Sequence, residues 1–335
     1  MNYKEEHEPT KQNKENYINE LWELVKKRNK NAIPERDEYI KDIFKNPEKY
    51  REDFKKMLGW PLVDYEKGGI PNAESEKITE DDEYEVFRMK FEILEGLHMT
   101  GLFFRAKGDG KKPLVIAQHG GDGTPEAMVG FYSDNGGYKY MVGNLQKHGL
   151  HFFAPQLLLW QEEWYGVIRD RKGLDAQLKR TGSSVAAVEI FGITRILDYF
   201  EAQDYVSNFG MAGLSYGGFY TLFTTAIDTR IKSAVSCAFF NSRDVINWSD
   251  WTWQEAAKKF DDAEVACLSY PRHMTILIGD KDELFDVKYG NRSYERLKEL
   301  SKDVGTEWLD FYVFDGYHDF YSGSEYMDKL AQDLK

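Results

Sequence analysis

Cysteine is nearly absent from this chain. Cys237 and Cys267 are the two in 335 residues, and they form no C-x-x-C pair. That excludes a disulfide framework and a cysteine-built structural zinc. Cys237 closes an apolar run and reads as a small buried hydrophobe rather than a nucleophile. Long apolar runs are missing too: none approaches the ~20 residues that a membrane span needs, so no membrane partner is expected. Positive charge is scarce, with 44 Lys and Arg against 57 Asp and Glu and a net charge of −13. No basic stripe interrupts the acidic balance, which argues against a nucleic-acid partner. The first residues, Met1 to Glu8, are polar and acidic and lack the apolar stretch of a secretory signal. A cytoplasmic location is the expectation. No internal repeat or low-complexity segment is visible, which excludes a propeller or solenoid.

What is there suits one large domain with an appendage. Hydrophobic residues make up 41% of the chain, ample for a core. Residues 1–80 read as a helical arm followed by a linker. In the arm, Tyr17, Leu21, Leu24 and Val25 share one helical face. Asn46-Pro47-Glu48 starts a second helix that stops at Gly59. Such an arm needs a surface to be stable, so packing on the body is expected, with dimerisation as the alternative. Residues 60–80 are rich in turn formers, including Gly68-Gly69 and Pro71-Asn72.

Residues 81–335 change character. Strands are predicted at 84–93, 99–105, 113–118, 150–154, 209–214, 231–237, 273–279 and 309–314, with helices at 184–200, 291–300 and 325–334. The order predicts an α/β fold: a mostly parallel central sheet with helices on both faces. Two stretches, 157–182 and 239–266, do not fit the alternation. They carry Trp160, Trp164, Arg169, Asp170, Arg171 and Arg180, and Asn241, Arg243, Trp248, Trp251 and Trp253. Both follow strand ends, where open α/β sheets bind ligands. Lining a pocket and packing on the body are equally open readings.

The chemistry centres on Gly213-Leu214-Ser215-Tyr216-Gly217-Gly218. It lies between a strand and an apolar helix, the context in which G-x-S-x-G forms a nucleophile elbow. Glycines allow the close backbone approach of so sharp a turn. The helix starting after Ser215 directs free N–H groups, Tyr216 first, at a developing oxyanion. A serine nucleophile also needs a base and an orienting acid. His318 follows the last predicted strand and is the base candidate among seven histidines. Asp282 follows Gly279 at G-x-x-D spacing, with Asp280, Glu283 and Asp286 as rivals. Gly120 and Gly121 follow the strand ending at Gln118 and offer the second oxyanion donor. His119 has no His or carboxylate at ligand spacing, so its expected role is to shape that turn, and no metal site is expected.

The sequence of oxyanion loop, serine, acid and histidine is that of the α/β-hydrolase arrangement. On His119-Gly120-Gly121, Gly213 to Phe219, Ala226 to Lys232, Gly279 to Asp282 and Gly316-Tyr317-His318, the chain resembles the dienelactone-hydrolase and acetyl-xylan-esterase-like group. The resemblance covers residues from about 85 to 335 and implies carboxylic ester hydrolysis without a cofactor. It implies Ser215 as nucleophile, His318 as base, Asp282 as its partner and a small-molecule ester, acetylated carbohydrate included, as substrate. Dienelactone hydrolases carry cysteine where this chain has Ser215, which favours an esterase. Two rival readings stand beside it. Prolyl-oligopeptidase-type peptidases share such a domain but carry a β-propeller, for which this chain has no blade repeat. A catalytically silent hydrolase fold would bind a ligand or partner instead.

Overall fold

The apolar run Leu114-Val115-Ile116-Ala117 is fully buried and lies at the middle of the molecule. The structure is a computed structural model that describes residues 2–66, 68–121, 123–132, 134–158, 163–164, 167–168 and 170–335. Its elements, in chain order, begin with helices α1 (Glu8–Tyr39) and α2 (Pro47–Leu58) and strands β1 (Ala73–Glu80), β2 (Tyr84–Leu94), β3 (Leu97–Ala106) and β4 (Lys112–Gln118). Next are α3 (Pro125–Met128), α4 (Lys139–Lys147), β5 (His151–Pro155), a short hairpin of β6 (Glu163–Trp164) and β7 (Val167–Ile168), α5 (Arg171–Lys179) and α6 (Val185–Glu201). The remainder is β8 (Val206–Leu214), α7 (Tyr216–Ile227), β9 (Ile231–Cys237), α8 (Asp262–Cys267), β10 (His273–Gly279), α9 (Val287–Leu300), β11 (Leu309–Phe314) and α10 (Glu325–Asp333).

Nine strands form one sheet in the order β1-β2-β3-β5-β4-β8-β9-β10-β11. The first three pair antiparallel, as does β3 with β5. From β5 to β11 every neighbouring pair is parallel. Side chains alternate between faces along a strand, and the core divides accordingly. Leu114 and Ile116 join one buried cluster, with residues of α2, α6, α7 and α8. Val115 and Ala117 join the other, with residues of α4 and α10. Parallel strands buried on both faces read as continuous apolar runs. That is why β9 and β10 have the predicted bounds; β11, the edge strand, is only partly covered and is marked by its own apolar residues Leu309, Phe311 and Phe314.

Two expectations are corrected. Residues 73–80, assigned to the linker, are β1, paired along its length with β2 at the edge of the sheet. Its side chains are mostly exposed and polar, so backbone pairing rather than an apolar face holds it. The arm does not pack on the body along its apolar face. Only the end of α1 docks: Ala32 and Arg36 are buried, and Arg36 pairs with Asp261 and Glu264, both at 3.3 Å. Tyr17, Leu21, Leu24 and Val25 are all exposed. Helix α2, by contrast, belongs to the body, with Tyr50, Phe54 and Leu58 in the core and Arg51 donating to the carbonyls of Ala226 and Leu268. Among the described residues no helix is long and apolar enough to cross a membrane.

Candidate active site

Strand β8 ends at Leu214 and α7 begins at Tyr216, so the reversal falls on Ser215 alone. Its φ of 60° and ψ of −120° are costly for a residue with a side chain and persist only where the surroundings impose them. Here the Ser215 N–H donates to the Cys237 carbonyl at 2.9 Å, and the Ser215 carbonyl accepts from Phe219 N–H in the first helical bond of α7. The flanking glycines are required. A Cβ on Gly217 would stand 2.3 Å from the Gln118 carbonyl oxygen, and one on Gly213 would stand 2.3 Å from that of Gly217.

The loops after β10 and β11 bring Asp282 and His318 together. His318 Nδ1 lies 2.8 Å from Asp282 Oδ2. The other oxygen, Oδ1, accepts the N–H groups of Leu284 and Phe285 at 2.9 and 3.0 Å, which fixes the carboxylate. The rivals are engaged elsewhere: Asp280 accepts from Gly316 N–H, and Asp286 caps α9. Glu283 is exposed. Phe285 stacks on the His318 ring with centroids 5.7 Å apart. Cys237 links this loop to the elbow, because its carbonyl holds Ser215 N–H and its Sγ lies 3.4 Å from the Asp319 carbonyl. No hydrogen bond joins Ser215 to His318 in the structure. Bonds of that kind are commonly long without substrate and tighten in the reacting complex.

The loop after β4 lies against the elbow, with the Cβ position of Gly120 3.3 Å from Ser215 Cβ. Gly120 N–H is already used, donating to the Tyr138 hydroxyl at 2.7 Å. Gly121 N–H has no acceptor among the described residues, and Tyr216 N–H, first in its helix, has none within α7. Among the described residues, the loop and elbow N–H groups left without an acceptor are therefore those of Tyr216 and Gly121. His119 is fully buried and shapes this loop: Nε2 accepts from Leu157 N–H at 3.1 Å, and Nδ1 donates to the Gly120 carbonyl at 2.8 Å. Burial pushes its pKa down to about 4, so the ring is neutral. Among the described residues no cluster of His, Cys, Asp or Glu is placed to hold a metal ion.

Sequence reasoning missed a buried charge network behind the elbow. Arg171 of α5 donates from Nε to Asp250 Oδ2 at 2.8 Å, from Nη1 to Glu189 Oε2 at 3.1 Å and from Nη2 to the Tyr220 hydroxyl at 2.9 Å. Tyr216 donates its hydroxyl to the same Asp250 oxygen at 2.8 Å. Burial disfavours the charge on Arg171, but Tyr220, Glu189, Tyr216 and Asp250 reverse that and hold its pKa well above the ordinary value. Burial raises the Tyr216 hydroxyl, which stays protonated as a donor. The network ties both unassigned stretches to α6 and α7. Their tryptophans split accordingly. Trp251 is buried against Phe219 and Tyr216, which settles it as packing. Trp248 is half-buried and stacks near-parallel on Tyr216 with centroids 6.3 Å apart. Trp160, Arg169 and the Trp164 side chain lie outside the described residues.

No protein-family model matches the chain. No curated protein matches it either. Solved structures do. A glucuronoyl esterase from Solibacter usitatus aligns with a TM-score of 0.63 at 13% identity, over 85% of this chain and 92% of that one. Acetyl xylan esterase 1 from Thermoanaerobacterium sp. JW/SL YS485 aligns with a TM-score of 0.52 at 16% identity, over 85% and 93%. The methylesterase BT1017 aligns with a TM-score of 0.62 at 18% identity, over 85% of this chain and 62% of that one. This chain has the α/β-hydrolase fold. Within that fold Ser215 occupies the elbow after β8, and Asp282 and His318 sit on the loops after the last two parallel strands.

Proposed function

We propose that the protein is a serine carboxylic ester hydrolase. The observation that carries the reading is the Asp282–His318 hydrogen bond, at 2.8 Å, formed at the same edge of the parallel sheet as a serine held in a strained strand-to-helix turn. Neutral His318, oriented by Asp282, takes the Ser215 Oγ proton on Nε2 as Oγ bonds to the ester carbonyl carbon. The carbonyl oxygen becomes an oxyanion facing the Tyr216 and Gly121 N–H groups. Each such donor is worth about 2.7–4 kcal/mol in related chemistry. Collapse breaks the bond to the alcohol oxygen, which leaves with the proton from His318. Water, deprotonated by His318, then clears the acyl-enzyme by the same route in reverse. No cofactor enters these steps.

The substrate class follows less directly. Three fold neighbours are named for glucuronoyl, acetyl xylan and methyl esters. Those names favour a carbohydrate ester with a small acyl or alcohol part. The test is intact mass after a fluorophosphonate probe, on wild type and Ser215→Ala. A single adduct on wild type alone is expected, and an unmodified wild type would leave the binding-protein reading in its place. An ester panel of graded acyl length follows, where best turnover on long chains would sink the carbohydrate assignment.

A further inference from the structure

The N–H groups of Tyr216 and Gly121 stand on separate segments, yet one buried cation, Arg171, lies behind both. On the elbow side the path is short. The Arg171 guanidinium lies 4.9 Å from the centre of the Tyr216 ring, within cation–π range. Arg171 Nε and the Tyr216 hydroxyl also donate to the same oxygen of Asp250, each at 2.8 Å. The Tyr216 side chain is thus held at its ring and at its tip, and its backbone N–H opens α7 next to Ser215.

On the other side the path runs through the backbone that follows β5. Arg171 Nη1 donates to the Leu158 carbonyl at 3.0 Å, and Glu189 Oε1 accepts the Leu158 N–H at 2.5 Å. The second Glu189 oxygen takes Arg171 Nη1 at 3.1 Å, so Leu158 is gripped at both of its backbone groups. Its neighbour Leu157 donates its N–H to His119 Nε2 at 3.1 Å, and His119 Nδ1 donates to the Gly120 carbonyl at 2.8 Å. That carbonyl also accepts Gly123 N–H at 3.1 Å. Gly120 C=O and Gly121 N–H belong to one planar trans peptide, in which they point opposite ways. Two donors on the carbonyl therefore fix the direction of the Gly121 N–H.

Stability alone is a poor account of this arrangement. Arg171, Glu189 and Asp250 are all buried, and apolar side chains often replace such groups without loss of stability. What an apolar side chain cannot do is hold several acceptors at set angles. Arg171 holds Asp250, Glu189, the Leu158 carbonyl and the Tyr220 hydroxyl, because the guanidinium donors form a rigid planar fork.

We infer that Arg171 is a positioning residue that aligns both halves of the oxyanion hole, Tyr216 through Asp250 and Gly121 through Leu158 and His119, a role that rests on the serine-hydrolase reading.

Arg171→Lys is the test, since lysine keeps the charge but offers its donors from a single point. Turnover is measured on 4-nitrophenyl acetate, and competent chains are counted by intact mass after a fluorophosphonate reaction run to completion. Expected is a kcat per labelled chain lower by about 10²-fold, with KM within about three-fold of wild type. The rate of labelling should fall in step, because that probe also draws on the hole. A merely structural role would lower the labelled fraction and leave kcat per labelled chain alone. Leu330→Ala sets that standard by opening the core on the other face of the sheet, away from Tyr216 and Tyr220. If Arg171→Lys does not fold, Arg171→Met/Glu189→Gln/Asp250→Asn takes its place, leaving no buried charge unpaired; the same loss of kcat is expected. Wild-type kcat per labelled chain in the folded variant overturns the inference and leaves the hydrolase reading standing. A wild type that takes no label overturns both.

Discussion

Tyr216 joins the candidate catalytic centre to the buried charge network. Its backbone N–H begins α7 behind Ser215, while its hydroxyl donates to Asp250 at 2.8 Å. Asp250 is fully buried, and its Oδ1 has no partner among the described residues. The strongest dependence therefore runs through Oδ2, which Arg171 and Tyr216 share. Asp250→Ala leaves the Arg171 charge short of a buried partner and is expected to cost about 3–5 kcal/mol. Tyr216→Phe removes one hydrogen bond to a charged group, at about 1.5–3 kcal/mol. Urea unfolding of both variants should give that order, and Tyr216→Phe should lower kcat more than it raises KM.

Asp282 is separable from its neighbours. Replacing it by Asn keeps the size but favours the wrong His318 tautomer, a change that costs about 10⁴ in kcat in a serine triad. Asp280→Asn disturbs only the contact to Gly316, and Asp286→Asn retains a good helix cap. Both should keep kcat within a few-fold of wild type, about 1 kcal/mol in barrier at most. Steady-state kinetics on a simple aryl ester separates the three. Equal losses at Asp280 and Asp282 would unseat the assignment.

Much of this was legible in the sequence, for identifiable reasons. Strands buried on both faces announce themselves as apolar runs, so Ile231–Cys237 and His273–Gly279 have the predicted bounds. Helix α6 starts where Ser184, accepting from Ala187 N–H, caps it. Ala73–Glu80 went unread because an edge strand held by backbone pairing needs no apolar alternation. The periodicity of 17–25 correctly marks a helix, yet no periodicity tells which surface covers it. Arg171, Glu189, Tyr216 and Asp250 come from four separate segments, and charged residues ordinarily signal solvent. Only Arg171 and the neighbouring tryptophans, standing in stretches that broke the βα alternation, hinted that something was built there.

The elbow glycines allow a paired comparison. Gly217→Ala would drive a Cβ to 2.3 Å from the Gln118 carbonyl oxygen, a backbone atom that cannot swing aside. The elbow must then part from β4, so loss of the fluorophosphonate adduct and a fall in stability are expected together. Gly143 lies inside α4 with no atom within 4 Å of its Cβ position. Gly143→Ala should raise stability by about 0.5–1 kcal/mol with activity unchanged. Thermal melts and adduct yields of the two variants check both directions.

Acid should destabilise the fold before most carboxylates titrate, through two buried imidazoles. His119 accepts a backbone N–H from Leu157, and His151 accepts one from Ala106. Each accepting nitrogen must stay unprotonated, and burial lowers both pKa values to about 4. In the unfolded chain both return to about 6.5. Well above pH 6.5 neither state is charged and the effect is nil. Below it the unfolded chain binds protons that the folded chain refuses, so stability falls as pH falls, until the folded imidazoles charge near pH 4. For fully buried His119 this amounts to about 3 kcal/mol across the window, with His151 acting in the same direction. Urea unfolding at pH 7.5, 6, 5 and 4.5 (values chosen to span roughly that window) should show the decline. His119→Asn should start less stable, having lost contacts, yet decline less steeply. A wild type equally stable at both ends of the window would remove buried neutral His119 as the cause.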